Sequence, residues 1–266
     1  METEIGNTTK TRGGARQTEV KVGFRLTQRE VALLEFVLDQ KFASIDALYP
    51  RFYAVGESDS TRYAAERLQL LRRHGFLEAT RVYTSPKLFY LASPLARDVL
   101  QAQRPDRRLL DPISSIDFRT FEHDWRVTLC RVAREKSGHA RDWVSERRLK
   151  AEWARYSGVL AREYCPDGIY TNRRGEQVAF ELELAPKTRE RMSRKVTKFL
   201  DAMRHGSASG PFQRALFVAC SPQVQKQIEG LVAPYPDQFR VMAYAELVDG
   251  TTRHQQQTEE SVKPIG

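Results

Sequence analysis

Three acidic residues in the second half of the sequence have the types and the spacing of a metal site. In the segment AFELELA, the two-residue period of a β-strand places Glu181 and Glu183 on one face. Phe180 and Leu182 then lie on the other face, and the two glutamate α-carbons are about 7 Å apart. Asp167 follows a proline in PDGIY, and the turn TNRRGE predicts that its strand pairs antiparallel with the glutamate strand. This pairing brings the aspartate towards the far end of the glutamate strand.

These carboxyl groups have two interpretations. Asp and Glu oxygens are the ligands that Mg²⁺ takes in proteins, and a metal held by them activates water or stabilises the leaving oxygen of a phosphodiester. A strand with one wet face, which shows its glutamates to solvent, gives the same sequence pattern. Because an unpaired buried carboxylate costs several kcal/mol, this face must meet water, cations or a metal.

A basic helix is predicted shortly after the glutamate strand. Between residues 187 and 204, seven basic residues stand against two acidic ones, which gives a net charge of +5. A solvated helix usually mixes its charges more evenly, so a track for nucleic-acid phosphates is the favoured interpretation. The residues predicted to contact DNA on this track are Lys187, Arg191, Arg194 and Lys198.

The first half of the sequence predicts three helices followed by a β-hairpin. Thr27 and Glu30 form a T-x-x-E capping box at the start of the first helix. The second helix is expected at about 44–49, where a proline follows, and the third at about 58–74. Two short strands, LEATRVY and KLFYLA, come next. This order is that of a winged-helix domain, whose third helix can enter the major groove of DNA.

Arginines on the predicted third helix are the candidate DNA contacts of this half. Arg62, Arg67, Arg72 and Arg73 would bind phosphates or base edges. Two alternatives stay open, a winged helix used for protein contact and a helical domain whose arginines only face solvent.

The order of elements predicts an α/β protein with two domains. Helices alternate with strands after residue 116, which indicates an α/β sandwich around a central mixed sheet. We expect polar tails at 1–22 and 249–266, a winged-helix domain at 23–103, a linker at 104–115 and the second domain at 116–248.

Composition restricts the classes of function. The net charge of +9 favours a polyanionic partner. The three cysteines are far apart, and neither a GxxxxGK[ST] loop, a GxSxG elbow nor an HExxH motif occurs. No apolar run reaches the length of a membrane span and the N-terminus has no apolar signal region, so a cytoplasmic protein is expected.

The acidic pattern resembles that of the PD-(D/E)xK nuclease-like fold. A Pro-Asp, a gap of ten to twenty residues and an acid-x-Lys step on a hydrophobic strand define that pattern. Asp167 matches its aspartate and Glu181 its first acid, but Glu183 stands where the nuclease pattern has lysine. The resemblance implies a restriction-endonuclease-like domain.

A closer resemblance accommodates the glutamate at 183. PDGIY and FELEL followed by the basic RKVTKF resemble the replication-relaxation family of plasmids and mobile elements, which is similar to MobC-type mobilization relaxases. It implies a winged helix joined to a nuclease-like domain and a lysine on the next helix, here Lys195, with Lys198 or Lys187 as alternatives. FEHDWRVTLCRV resembles that family's histidine-containing helix and singles out His123, although a structural histidine is the more frequent case.

The resemblance implies an origin-binding DNA nickase. Asp167, Glu181 and Glu183 would hold Mg²⁺ or Mn²⁺, and Lys195 would steady charge on the phosphate. Partners would be double-stranded DNA, other relaxosome or conjugation proteins and a second copy of the chain. The alternatives are a non-catalytic relaxosome accessory factor or transcriptional repressor, and a restriction-type endonuclease.

Overall fold

The structure, a computed structural model, describes an α/β protein with two sheets over residues 24–54, 60–152, 164–204 and 211–249. The predicted tail at 1–22 and residues 250–266 of the second tail lie outside these ranges. No helix within the described ranges is both long enough and apolar enough to cross a membrane.

The N-terminal half consists of helices around a small antiparallel sheet. Its elements are α1 (Gln28–Gln40), β1 (Ala43–Ser44), α2 (Ile45–Phe52), α3 (Thr61–Arg73), β2 (Leu77–Arg81), β3 (Leu88–Ala92) and α4 (Pro94–Gln103). The three strands lie in the order β1–β3–β2. Helices α1, α2 and α3 pack their apolar faces into one core with this sheet.

Local sequence signals explain most of the boundaries in this half. The capping box of Thr27 and Glu30 is formed at the start of α1, and Gly75, with φ of 77°, ends the α3 segment. The prediction that α2 ends before Pro50 is wrong, because the helix continues to Phe52. A proline in the last turn removes only its own amide, and the amide of Tyr53 still donates to the carbonyl of Tyr49 at 2.9 Å.

The C-terminal half is built on a mixed sheet. Its elements are α5 (Phe121–Lys136), β4 (Arg141–Ser145), α6 (Glu146–Ala151), β5 (Gly168–Thr171), β6 (Gln177–Glu183), α7 (Arg189–Arg204), β7 (Arg214–Ala219), α8 (Pro222–Val232) and β8 (Phe239–Ala243). The strand order is β4–β5–β6–β7–β8. The pairs β4–β5 and β5–β6 are antiparallel, while β6–β7 and β7–β8 are parallel.

Helices cover both faces of this central sheet. One face, which includes Ala179 and Phe217, shares a core with α7 and α8. The other face, which includes Phe180 and Leu182, shares a core with α5. The predicted alternation of β6 is therefore confirmed, with a helix packed against each set of side chains.

Gly168 allows close packing at the start of β5. A Cβ at this position would lie 2.6 Å from the indole of Trp143, so no side chain fits here. The Pro-Asp-Gly sequence thereby fixes the backbone next to Asp167 against the strand β4.

The two halves share an extensive contact. Phe121 of α5 stacks on Phe42 with ring centroids 5.6 Å apart, and both belong to a core cluster with residues of β3. The segment predicted as a linker, 104–115, also packs on the protein, since Leu109 is 4% exposed. Arg104 in this segment lies 2.9 Å from a carboxylate oxygen of Glu35 on α1. Arg147 and Arg148 of α6 also donate to the carbonyls of Asp111 and Arg108, so this segment contacts both halves.

Candidate functional site

The three acidic residues singled out by the sequence meet at one end of β6. Gly168 pairs with Phe180 across the β5–β6 ladder, which sets Asp167 beside the end of β6. Its Oδ2 accepts a hydrogen bond from the amide of Leu182 at 2.7 Å. The relative exposures of Asp167, Glu181 and Glu183 are 8%, 4% and 2%, so the alternative of a strand with one wet face is wrong.

Two lysines compensate the buried glutamates. Lys195 of α7 donates to Glu181 Oε1, and its Nζ lies 3.2 Å from Glu183 Oε1. Lys187, just before α7, has its Nζ 2.6 Å from Glu183 Oε2. Burial alone would lower the pKa of Lys195, but the surrounding carboxylates raise it above the usual value. Lys195 is therefore a cation held inside the acidic cluster.

His123 near the start of α5 completes the cluster from the opposite side. Its Nε2 lies 3.2 Å from Asp167 Oδ2, and its Nδ1 lies 3.8 Å from Asp124 Oδ1. Burial alone would lower the pKa of His123, but the charge of Asp167 and hydrogen bonds to both aspartates raise it to about 11. Burial raises the pKa of Asp167, yet His123 and Lys195 outweigh it and hold the pKa below the usual range. The two residues form a charged pair.

Glu181 is a buried carboxyl group with a raised pKa. Burial and the charges of Asp167 and Glu183 raise the pKa of Glu181 to about 8, although Lys195 opposes the shift. Its Oε2 is buried and has no hydrogen-bond partner within the described residues. Glu181 thus presents an unused acceptor oxygen on a carboxyl group whose pKa is raised towards the neutral range.

The N-terminal half contributes a residue to the edge of this cluster. Lys41, which follows α1 with φ of 73°, places its Nζ 2.7 Å from Asp124 Oδ2. A small cavity of about 20 Å³ between the halves is lined by residues that include Lys41, His123 and Asp167. The sequence pattern did not single out Lys41 or Asp124. The only signal for Asp124 was its position beside His123 in FEHDW.

We expect Lys41→Met to destabilise the protein by about 1–2 kcal/mol, because it removes a charged hydrogen bond from the half-buried Asp124. The pKa of Asp124 is held below its usual value against the effect of burial, by His123 and Lys41. This stabilisation is present above the usual carboxyl pKa and is lost as the pH falls. The difference in unfolding free energy between wild type and Lys41→Met should therefore shrink below about pH 4. Urea unfolding at several pH values measures it.

Lys87→Met is the matched control for that substitution. Lys87 pairs with Asp46 at 2.6 Å on the surface, where both side chains are more than a third exposed. Such pairs contribute about 0–1 kcal/mol, so this variant should stay close to wild type. Equal losses in the two variants would argue against a special role of Lys41.

The cluster contains the oxygen ligands that a divalent cation takes, but its carboxylates are already paired with basic side chains. Asp and Glu oxygens are suitable ligands for Mg²⁺ or Mn²⁺, and the unpartnered Oε2 of Glu181 is a free acceptor. Within the ranges that the structure describes, no group of three or more His, Cys, Asp or Glu side chains is arranged to hold a metal. Lys195 lies between Glu181 and Glu183, and His123 contacts Asp167, so a metal would compete with these two cations.

The basic residues predicted on the α7 track separate into two groups. Lys187 and Lys195 turn towards the carboxylates, with side-chain exposures of 25% and 15%. The other residues of the predicted track, Arg191, Arg194 and Lys198, are exposed on the outer side of α7. Lys187, which is predicted to contact DNA, has its ammonium bound to Glu183, so its DNA contact stays a prediction.

The predicted arginines of α3 also divide. Arg62, Arg72 and Arg73 are exposed, and Arg62 pairs with Glu66 one turn away at 3.0 Å. Arg67 instead donates through Nε to Glu30 at 3.1 Å, and the Glu30 side chain is 2% exposed. The guanidinium of Arg67 thus neutralises a buried carboxylate, and its predicted DNA contact stays a prediction.

No family model, curated protein or solved structure matches this chain. The class that the fold and the site define is an α/β protein with a buried cluster of three carboxylates, two lysines and a histidine.

Proposed function

We propose that this protein binds double-stranded DNA at an origin-type site of a plasmid or mobile element and nicks one strand there with the help of Mg²⁺ or Mn²⁺. The observation that carries the proposal is the convergence of Asp167, Glu181, Glu183 and Lys195 at one end of the central sheet. Relaxation of supercoiled DNA for transfer or replication would follow from such a nick.

The N-terminal half supports the DNA-binding part of the proposal. Its order of helix, short strand, two helices and hairpin, with strand order β1–β3–β2, is compatible with a winged-helix domain. Helix α3 is then the recognition helix, and its exposed Arg72 and Arg73 lie beside an open groove with residues of β2.

The C-terminal half supports the nuclease part. A five-stranded mixed sheet with helices on both faces, and with acids just before β5 and at the end of β6, is compatible with the PD-(D/E)xK fold. The resemblance of PDGIY and FELEL to the replication-relaxation family points to the same arrangement.

The side chains of the site have distinct roles in this proposal. Asp167, Glu181 and Glu183 would hold the cation, which when bound supplies an activated water and charge compensation at the phosphate. Glu181, with a pKa raised to about 8, takes or gives a proton near neutral pH. Lys195 stabilises negative charge on the phosphate from within the same cluster. His123 orients Asp167 through its Nε2.

One observation favours a second function. Each of the three carboxylates contacts at least one basic side chain, so the cluster also suits a purely structural ion network. The protein would then be a DNA-binding accessory factor of a relaxosome or a repressor, without strand cleavage.

The test is incubation of the purified protein with a supercoiled plasmid that carries the DNA next to its own gene. Open-circular product that forms only with Mg²⁺ or Mn²⁺ is the expected result. DNA binding without a nick in either metal would instead establish the non-catalytic function.

We expect the double variant Arg72→Ala, Arg73→Ala to weaken binding to the target site and to reduce its dependence on salt. Each lost phosphate contact lowers the slope of log affinity against log salt by roughly 0.9. Fluorescence anisotropy between about 50 and 200 mM salt measures both effects. An unchanged slope would remove DNA contact from these two arginines.

Arg67→Ala should lower the stability of the protein but leave the salt dependence of DNA binding unchanged. Removal of its guanidinium leaves Glu30 buried without its main cation, which costs about 3–5 kcal/mol of stability. At a temperature where this variant remains folded, its salt slope should equal that of wild type. Thermal unfolding and the same anisotropy titration separate the two classes of arginine.

A further inference from the structure

A second feature of the C-terminal half lies at the other end of the central sheet from the acidic cluster. An open groove of about 460 Å³ is lined by the first residues of β6, β7 and β8 and by the end of α5. Val178 and Leu216 lie on its floor, whereas Glu181 and Glu183 follow later on β6. The groove is therefore a separate site on the same sheet.

The groove is strongly basic. Its lining includes five arginines and only two acidic side chains. Arg214 pairs with one of these acids, Glu176, at 3.0 Å. Arg174 and Arg240 are exposed, and no carboxylate of the described residues forms an ion pair with either side chain. Within the described residues neither guanidinium is therefore held in an ion pair, although the charge of Arg174 helps to lower the pKa of Glu176.

A fixed donor set lies on the wall of the groove. Arg134 Nη2 donates to the hydroxyl of Tyr170 at 3.0 Å, while its buried Nε has no partner among the described residues. The ring of Tyr170 stacks on Trp143, with centroids 5.4 Å apart and planes 9° from parallel. Because its oxygen accepts from Arg134, the hydroxyl proton of Tyr170 remains available to donate.

These groups are suited to an anion with several oxygens. Guanidinium groups bind phosphate through paired, charge-assisted hydrogen bonds, and a fixed hydroxyl adds a further donor. The apolar floor of Val178 and Leu216 offers a surface to a sugar or base next to the phosphate. A divalent cation is disfavoured at this place by the excess of positive charge.

We propose that this groove binds a phosphate group, with Arg134, Arg174, Arg240 and Tyr170 as donors. The phosphate belongs either to a free nucleotide or to a DNA strand, which present the same chemistry. This site is independent of the acidic cluster and of strand cleavage, so its test needs no nicking activity.

The test uses the full-length protein and three probes, which are pyrophosphate, dAMP and a short single-stranded oligonucleotide. Calorimetry measures saturable binding of each probe at low salt. Binding of pyrophosphate and dAMP identifies a nucleotide-type site, whereas binding of the oligonucleotide alone identifies a strand contact. Absence of saturable binding for all three probes overturns the proposal.

The variant for this test is Arg174→Gln with Arg240→Gln. The loss of two charge-assisted contacts should lower the affinity for the probe by at least about tenfold. The control, Arg119→Gln with Lys226→Gln, removes the same charge from exposed positions outside the groove. Equal weakening in both double variants would show a general charge effect and overturn the site.

A measurement on the wild type guards against a variant that fails to fold. Phenylglyoxal modifies accessible arginines, and mass spectrometry maps the modified positions. The bound probe should protect Arg174 and Arg240 but leave Arg119 reactive. Equal modification with and without a saturating probe would contradict the proposal.

Discussion

Replacement of Glu181 by glutamine should reduce metal-dependent nicking by on the order of 100-fold or more, because it removes a charged ligand from the proposed metal site. The buried Oε2 of Glu181 has no partner in the described structure, so this carboxylate is the one best placed to take a ligand. Glutamine has nearly the same shape but carries no charge. Affinity for DNA should remain within about twofold, since α3 belongs to a different core from Glu181 and is unaltered.

The assay compares wild type and Glu181→Gln on the same supercoiled plasmid with Mg²⁺ or Mn²⁺. Glu229→Gln, on the exposed side of α8, is the matched control for the loss of one carboxylate. It should nick at the wild-type rate. Equal nicking by Glu181→Gln would show that the activity comes from elsewhere in the protein or from a contaminating nuclease.

Lys195→Met should destabilise the protein by about 3–5 kcal/mol near pH 8, because it leaves Glu181 without its cation in a buried place. Glu183 keeps Lys187 at 2.6 Å, so the loss falls mainly on Glu181. Denaturant unfolding of the variant and the wild type gives the difference. A loss below about 1 kcal/mol would show that the pair is as weak as a surface ion pair.

The effect of this substitution should depend on pH in a defined direction. The pKa of Glu181 is raised to about 8 in the folded protein. A carboxyl group with a raised pKa stabilises the folded protein fully at pH values below its pKa in the unfolded chain. This stabilisation is lost as the pH rises through the folded-state pKa of about 8. Without Lys195 the protonated form is favoured further. The loss of unfolding free energy in Lys195→Met, relative to wild type, should therefore be smaller at pH 6 than at pH 9.

The effect of Mg²⁺ on the melting temperature of Lys195→Met is a second measurement, and it does not depend on nicking activity. The ammonium of Lys195 lies between Glu181 and Glu183 and competes with a metal there. Mg²⁺ should therefore raise the melting temperature of Lys195→Met more than that of wild type. Lys226→Met, at an exposed position on α8, controls for the loss of one lysine. No difference in the Mg²⁺ effect would argue against metal binding and favour the non-catalytic function.

Much of the fold follows from local sequence signals. The capping box at Thr27, the left-handed Gly75 and the alternation in AFELELA mark elements that the structure contains. The turn TNRRGE also predicts the antiparallel pairing of β5 with β6. These signals work because caps, turns and strand periodicity depend on residues close together in the chain. The end of α2 could not be read in this way, since Pro50 lies inside its last turn.

The partners of the charged residues could not be predicted from the sequence. Arg67 contacts Glu30, which lies 37 residues earlier, and Lys41 contacts Asp124, which lies 83 residues later. The local sequence around a helical arginine is the same whether the side chain contacts DNA or a buried carboxylate. The packing of α3 on α1 decides this, because only tertiary contacts bring the buried charge within reach.

The sequence by itself determined that Asp167, Glu181 and Glu183 share one end of the sheet. The tertiary structure decided that their carboxyl groups are buried, since α7 covers the glutamate face and brings Lys195 to it, while His123 of α5 reaches Asp167 from the other side. The tertiary structure also created the basic groove, because it brings together arginines from separate elements. Strand alternation is set by the backbone and can be read locally, whereas a buried charge is stable only where folding supplies its counter-charge.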